Sequence, residues 1–225
     1  MSYQMDWEAV LPHLPSMMKG VVFTLQISFT GFALSLLFGL AIALMRMSSL
    51  KAVSAFAFGY TQFFRAISIY IYIIWIYFGL AVSTGINLSP YVASVIAITL
   101  LHSAYLSEIF RATINSVGGG QLEAARSLGM KRGAVFYDVV MPQALATAVP
   151  LLISQFAMIV KDSAVVAVIG ASDLMYETIR AANLELRSFE FYSVAAVIYL
   201  AIVLVVSWIG NVLEYQLNKH MRQSA

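Results

Sequence analysis

The chain has 225 residues, of which 61% are hydrophobic and only 11% are charged, and its mean hydropathy is +0.84. Soluble domains are roughly 45–50% apolar and about 25% charged, so this composition excludes an ordinary soluble protein and indicates an integral membrane protein. The formal net charge of +2 is too small to predict nucleic-acid binding, and the absence of cysteine excludes disulfides and cysteine chemistry.

Apolar runs along the chain predict five membrane-spanning helices, because a span needs about 20 mostly apolar residues. No segment alternates with the two-residue period of a barrel strand, so we predict an all-α integral membrane fold. The sequence NLSP, residues 87–90, predicts the turn between the second and third spans. The predicted spans are residues 21–44, 58–82, 91–110, 144–160 and 191–212, in a single transmembrane domain of residues 1–225.

The basic residues predict the orientation of these spans, since inner loops are enriched in lysine and arginine. With the N-terminus outside, the inner loops hold eight basic residues and the outer segments hold four, while Arg65 is left unassigned. We therefore predict an outer N-terminus and a cytoplasmic C-terminus, which places the polar loop of residues 118–142 in the cytoplasm.

The region between the fourth and fifth spans does not read as a plain loop. Residues 163–171, SAVVAVIGA, are apolar but too short to cross a membrane, so they are re-entrant, interfacial or packed against other spans. Residues 172–190 are polar and predict an amphipathic helix on the outer surface.

The polar loop contains a candidate docking helix. Three glycines release the chain from the third span, QLEAARSL favours a short helix, and Gly129 is placed to end it. Pro142 can begin the next span, because proline is tolerated in the first turn of a helix. The two readings left open by this pattern are a docking element for a soluble partner and a solvated loop that only connects two helices.

The loop resembles the EAA loop of the membrane subunits of binding-protein-dependent ABC importers. In that family EAA is followed by three residues, a glycine, nine residues and Ile-x-Leu-Pro. This chain has EAARSLG, nine residues and VVMP, with Val139 and Met141 in place of isoleucine and leucine. The matching positions, which the resemblance identifies as the ATPase-coupling residues, are Glu123, Ala124, Ala125, Gly129 and Pro142.

The flanking sequences YLSEIFRATINSVGGGQLEAARSLGM, VPLLISQFAMIVKDS and FEFYSVAAVIYL resemble the polar amino acid branch of that family. The resemblance implies a type I importer permease in the bacterial inner membrane, with a cytoplasmic coupling helix. It also implies three kinds of partner besides the bilayer: a second permease, identical or homologous, two cytoplasmic ATP-binding subunits and an extracytoplasmic solute-binding protein. ATP and magnesium then belong to the ATPase, because this chain has no GxxxxGK[ST] sequence, and no cofactor is expected here.

Alternatives to amino acid import remain at this point. Another small polar solute, such as an opine or a compatible solute, fits the same machine. An ion channel would need a filter segment, for which only residues 163–171 are available. A membrane enzyme would need clustered nucleophiles or metal ligands, and the three histidines lie far apart in sequence.

Ionisable residues inside or beside the spans are the candidate functional groups, since such residues are costly in lipid. Glu108 and Arg111 are three residues apart and are predicted to form a structural pair on one helix face. Arg65 is placed within the second span, either facing the bundle or snorkelling to the inner interface. Lys161, Asp162 and Ser163 follow the fourth span and are predicted to belong to the substrate pathway, with an outer-edge anchor as the alternative.

Two departures from the amino acid branch fall along that expected pathway. The branch has Arg-Gly-Thr-Pro or Arg-Ser-Ile-Pro in the second span, whereas this chain has RAIS without proline at residues 65–68. It has Lys-Asp-Thr-Ser-Leu after the fourth span, whereas this chain has KDSAV at residues 161–165.

Overall fold

The computed structural model of the chain describes residues 4–223, with the side chains of residues 216–223 and of Arg132 outside that description. Residues 4–223 contain no β-strand, which confirms the predicted all-α fold. The helices are α1 Leu14–Arg46, α2 Lys51–Ala66, α3 Ile69–Thr84, α4 Pro90–Asn115, α5 Gly119–Ser127, α6 Met141–Asp162, α7 Leu174–Glu185 and α8 Ser188–Gln223.

Four helical segments are long and apolar enough to cross a membrane. They are Glu8–Arg46, Pro90–Asn115, Val135–Ile169 and Ser188–Tyr215, and a fifth crossing is formed if α2 and α3 are counted as one span. The four long segments extend beyond the apolar runs that predict them. Ser89 accepts a hydrogen bond from the backbone N–H of Val92 at the start of α4, as expected at an N-cap.

The second predicted span is not one continuous helix, so the prediction over residues 58–82 is wrong in this respect. The chain leaves helical geometry at Ile67 and Ser68, and α2 and α3 meet at an angle of 99°. The hydroxyl of Ser68 accepts a hydrogen bond from the N–H of Tyr70, which caps α3. The break therefore arises from a new helix start at Ser68 and needs no proline.

Small residues let α1 lie directly against α4. Gly31, Ser35, Gly39 and Ala43 recur every four residues on one face of α1, and Ser35, Gly39 and Ala43 are buried. A Cβ atom at position 39 would lie only 2.8 Å from the Cβ of Leu106. Stripes of small residues are how membrane helices bring their backbones close together.

The short apolar segment of residues 163–169 packs inside the bundle. Of the environments predicted for it, this is packing against other spans. The segment forms a 3-10 helix, and its Val166 shares a buried cluster with Ile27 of α1, Ile73 of α3 and Ile98 of α4. Gly170 then ends the segment with a φ of +77°, a conformation that glycine adopts readily.

The predicted amphipathic helix is α7, and its apolar face is buried against α1 and α8. Leu174 and Thr178 are fully buried, whereas Leu184 is exposed. A Cβ atom at Gly20 of α1 would lie 2.8 Å from the backbone of Asp173, so glycine is what allows this approach. Helix α7 thus packs between two spans instead of resting on their surface.

Candidate functional site

The candidate docking helix is present as α5, and its end is fixed by backbone hydrogen bonds. The N–H of Gly129 donates to the carbonyl of Arg126 at 2.9 Å, and the N–H of Met130 donates to the carbonyl of Ala125 at 3.2 Å. This pair of bonds is the Schellman motif, which requires a left-handed residue after the helix. Gly129 supplies it with a φ of +76°, so the prediction that this glycine ends the helix is confirmed.

One face of α5 is anchored and the opposite face is open. Ala125 is 5% exposed, and Leu122 packs against a cluster formed by Ile114, Val117, Val140 and Ala144. On the other side Glu123 and Ala124 are exposed, and Leu128 is 82% exposed. Among the described side chains none forms an ion pair with Glu123. An apolar residue and a carboxylate without an ion pair among the described side chains are therefore both exposed at α5.

Pro142 lies in the first turn of α6, as the sequence predicts. The preceding residues Val135–Val140 form a π-helical turn that runs directly into α6. The side-chain amide of Gln143 donates a hydrogen bond of 2.9 Å to the carbonyl of Val139. The π-helical turn Val135–Val140 therefore continues into the membrane helix α6 without a non-helical residue between them.

A buried polar cluster joins α4 to the end of α6. The imidazole of His102 is fully buried, and its Nδ1 lies 2.6 Å from the amide nitrogen of Gln155. Its Nε2 lies 3.3 Å from an oxygen of Asp162, whose side chain is 33% exposed. This cluster connects the bundle interior to the partly open carboxylate, and an ionisable group in such a place is a candidate functional site.

The three predicted pathway residues at this point differ in their surroundings. Lys161 is exposed, Asp162 is partly exposed and in contact with His102, and Ser163 is fully buried. The hydroxyl of Ser163 donates to the carbonyl of Val160 at 2.8 Å, so it is occupied within its own turn. Asp162 is the member of the three that combines charge, access and a buried partner.

Arg65 lies in the last turn of α2, beside the break, and its side chain is exposed. The sequence predicts Arg65 in the first half of the second span, and it lies there, directly before the bend between α2 and α3. Its guanidinium lies 5.1 Å from the centre of the Tyr105 ring, within cation–π range. Tyr105 in turn lies 6.2 Å from the ring of His102. Arg65 therefore approaches the same cluster from another helix.

Glu108 and Arg111, predicted to pair, are 2.8 Å apart at their closest. The other oxygen of Glu108 lies 3.3 Å from the guanidinium of Arg46, at the end of α1. Arg46 also lies over the ring of Phe58 in α2, at 4.6 Å. One carboxylate therefore holds two arginines and ties α1 to α4, which is a structural arrangement.

Sequence reasoning missed His102, Gln155 and Arg46 as partners. A histidine and a glutamine inside apolar runs are themselves unusual, because polar groups in a membrane need hydrogen-bond partners. The spacing of seven residues between Gln155 and Asp162 also places both on one helix face. Neither signal identifies the partner across the bundle.

The carboxylate of Asp173, at the start of α7, is fully buried. One oxygen accepts a 2.8 Å hydrogen bond from the N–H of Tyr176, and the other lies 3.3 Å from the hydroxyl of Tyr199. Burial raises the pKa of Asp173 to about 7, since water is excluded from the charged form. The described residues contain no group of three or more His, Cys, Asp or Glu side chains that could hold a metal ion.

Comparisons with known proteins identify the family to which the chain is similar. The sequence profile of the family described as "Binding-protein-dependent transport system inner membrane component" matches residues 35–223. The arginine transport system permease protein ArtQ of Bacillus subtilis (strain 168) is 32% identical over 216 residues, which cover 96% of this chain and 99% of ArtQ. The glutamate/aspartate import permease protein GltK of Escherichia coli O6:H1 is 34% identical over 181 residues, 76% of this chain and 80% of GltK.

A solved structure described as an amino acid ABC transporter with histidines matches with a TM-score of 0.90 at 34% identity. The match covers 95% of this chain and 100% of that chain. The resemblance carried by the polar loop is thereby confirmed over nearly the whole sequence, and this chain belongs to the family of binding-protein-dependent transport system inner membrane components.

Proposed function

We propose that the chain is the permease subunit of an ATP-driven importer that moves a polar amino acid, or a derivative of one, across the inner membrane. The observation that carries this proposal is the similarity, over most of the chain, to permeases named for arginine and for glutamate and aspartate. Those solutes have side chains of opposite charge but share an α-ammonium and an α-carboxylate. The shared part of the solute is therefore what we expect the common architecture to handle.

The chain itself performs no chemistry in this proposal. Two cytoplasmic ATP-binding subunits carry ATP and magnesium, and each docks on the exposed face of α5 around Glu123, Ala124 and Leu128. A second permease, identical or homologous, completes the pathway, and an extracytoplasmic binding protein delivers the solute. Both termini follow the positive-inside rule, with the N-terminus outside and the C-terminus in the cytoplasm.

Closure of the ATPases pulls the coupling helices, and the membrane helices change between inward-open and outward-open arrangements. Such alternating access is a two-state equilibrium that ligands and ATP shift. The π-helical turn Val135–Val140, which joins the loop to α6, supports this step, since no non-helical residue separates it from α6. At its C-terminal end α6 carries Asp162, so α6 joins the loop that holds the docking helix to the candidate pathway.

We assign the solute pathway to Asp162, with Lys161 beside it and Arg65 approaching from α2. A solute that leaves water needs an opposite charge for its ammonium and another for its carboxylate. Asp162 can take the ammonium, and Arg65 or Lys161 can take the carboxylate. Ser163 supports the turn after Asp162, because its hydroxyl is bonded to the carbonyl of Val160.

The proposal is tested in proteoliposomes that contain the permease with its ATPase and receive the binding protein loaded with labelled amino acids. Asp162→Asn keeps the shape and removes the charge, and we expect it to abolish or sharply reduce uptake while the ATPase stays bound. Glu8→Gln makes the same chemical change at an exposed position and should transport at the parental rate. Parental uptake by both Asp162→Asn and Lys161→Met would contradict the assignment of the pathway to these residues. Failure of every amino acid to stimulate the ATPase would contradict the proposal that the solute is an amino acid.

A further inference from the structure

An apolar pocket lies between the C-terminal half of α1, helix α2 and the middle of α4, and its volume is about 270 Å³. Its lining is almost entirely apolar, with Phe38, Ile42 and Met45 contributed by α1 and Phe56 by α2. Phe38 is 54% exposed and Phe56 is 69% exposed, so the pocket opens at the surface of the chain. The residues from α1 belong to the apolar span Glu8–Arg46. The pocket therefore opens toward the hydrocarbon of the membrane and not toward water.

Basic residues follow this pocket at one end. Met45 in its lining is followed by Arg46, the last residue of α1, and α2 begins at Lys51 after a short turn. The hydroxyl of Ser54 donates to the carbonyl of Arg46 at 2.9 Å, which holds the first turn of α2 against the end of α1. Leu50, the N-cap residue of α2, makes no side-chain hydrogen bond to the N–H groups of that turn. Such N–H groups at the start of a helix favour an anion.

The charges at this end of the pocket do not cancel. Glu108 of α4 is shared between Arg46, at 3.3 Å, and Arg111, at 2.8 Å. Lys51 is exposed and forms no ion pair among the described side chains. Three cations and one carboxylate leave a net charge of +2 beside the apolar pocket. A ligand that matches both features has an apolar chain and an anionic head.

We propose that this pocket binds an anionic phospholipid of the inner leaflet, with an acyl chain in the pocket and the phosphate beside Lys51 and Arg46. Basic sites between membrane helices on the cytoplasmic side are suited to anionic headgroups. A zwitterionic phospholipid supplies the chain without the net charge, and a free phosphate supplies the charge without the chain, so each matches only half of the site. The inner leaflet rests on the proposed function, in which the end of α1 faces the cytoplasm.

The site is tested on the purified complex of permease and ATPase, stripped of lipid, by native mass spectrometry. Phosphatidylglycerol and phosphatidylcholine with identical acyl chains are titrated in parallel. We expect phosphatidylglycerol to bind roughly fivefold more tightly or better, the effect of one basic residue near an anionic headgroup. Glycerol phosphate, the same anion without acyl chains, should bind at least roughly a hundredfold more weakly, because each buried CH₂ group adds to the affinity. Equal affinities in either comparison would overturn the proposal.

The headgroup contact is tested by removing one charge. Lys51→Gln should weaken the binding of phosphatidylglycerol roughly fivefold and leave that of phosphatidylcholine unchanged. Lys19→Gln is the matched control, because it makes the same change at an exposed position near the other end of α1. This variant should keep the parental affinity for both lipids. Equal affinities of Lys51→Gln and Lys19→Gln for phosphatidylglycerol would overturn the proposed contact.

The acyl-chain contact is tested by filling the pocket. Ile42→Trp places a larger side chain in the lining, whereas Leu44→Trp places the same ring at a position that is 49% exposed and outside the lining. We expect a loss of phosphatidylglycerol affinity of at least roughly fivefold in Ile42→Trp alone. An equal loss in both variants would overturn the assignment of the chain to this pocket. The comparison with glycerol phosphate uses the parental complex, so it decides the same point where Ile42→Trp does not assemble.

Two outcomes separate this inference from the proposed function. A complex that takes up amino acids but shows no preference for phosphatidylglycerol would overturn the lipid site and leave the proposed function intact. Labelling of a cysteine at Ser127 by an impermeant reagent in intact cells would place the end of α1 outside, and it would overturn the inner-leaflet assignment together with the proposed orientation.

Discussion

The contact between α1 and α4 can be tested by a single methyl group at Gly39. A Cβ atom there would lie 2.8 Å from the Cβ of Leu106 and 3.1 Å from the carbonyl oxygen of Ser103. Carbon atoms pack at about 3.5–4.0 Å, so the helices must separate by roughly 0.7 Å or more. The first atom met is close to the backbone and the second belongs to it, so neither can move away cheaply.

We expect Gly39→Ala to cost about 1–3 kcal/mol, the usual penalty of overpacking. For a chain of this size that corresponds to a fall in Tm of roughly 3–10 °C, measured on the purified complex in detergent. Gly59→Ala is the matched control, because no atom lies within 4 Å of its added methyl group. Alanine favours a helix by up to about 1 kcal/mol over glycine, so this variant should be neutral or more stable. The reasoning fails if Gly39→Ala melts at or above the temperature of Gly59→Ala.

Three further predictions concern the coupling helix, the orientation and a buried carboxylate. Gly129→Val places a β-branched residue at a φ of +76°, where it is strained, so the ATPase should no longer copurify. Gly133→Val, at a helical position, should retain the ATPase. Copurification with both variants would contradict the proposed role of the cap. Ser188 and Ser127 are both exposed. A cysteine at Ser188 should react with an impermeant thiol reagent in intact cells, and a cysteine at Ser127 should react only after lysis. The reverse result would invert the orientation. The pKa of Asp173 is raised from 3.8 to about 7, so its contribution to stability is fully present below about pH 4 and has been lost once the pH rises through about 7, by at most about 4 kcal/mol. The parental Tm should therefore fall between about pH 4 and 7 and level off above it, and an equally steep fall in Asp173→Asn would assign the effect to another group.

The sequence predicts the parts of the fold that depend on local pattern. Apolar runs locate the long helices, the turn at residues 87–90 is found, and Gly129 ends α5 as expected. The break at Ile67 and Ser68 is not found, because isoleucine continues a helix as easily as it ends one and the capping role of Ser68 appears only in three dimensions. The loss of the family's proline at this point even favours a continuous helix.

The candidate site is also predictable only where it depends on local sequence. The coupling residues follow from a motif of fixed spacing within one segment, and charges inside apolar runs identify Asp162. The partners of Asp162 do not follow, since His102 precedes it by 60 positions and lies on another helix. Pairing across a bundle depends on how helices are rotated and shifted against each other, and a single sequence carries no direct record of that geometry.

The cap at the end of α5 fixes the shape of this helix without using the side chains that a partner would contact. Both of its hydrogen bonds join backbone groups, so the geometry needs one glycine and no other particular side chain. The outward-facing positions, among them Glu123 and Leu128, are therefore free to change with the surface of a partner while the helix keeps its length and direction. Such an element is modular: we expect residues 119–130 to keep their conformation when grafted between two helices of a different permease, and to carry their partner preference with them.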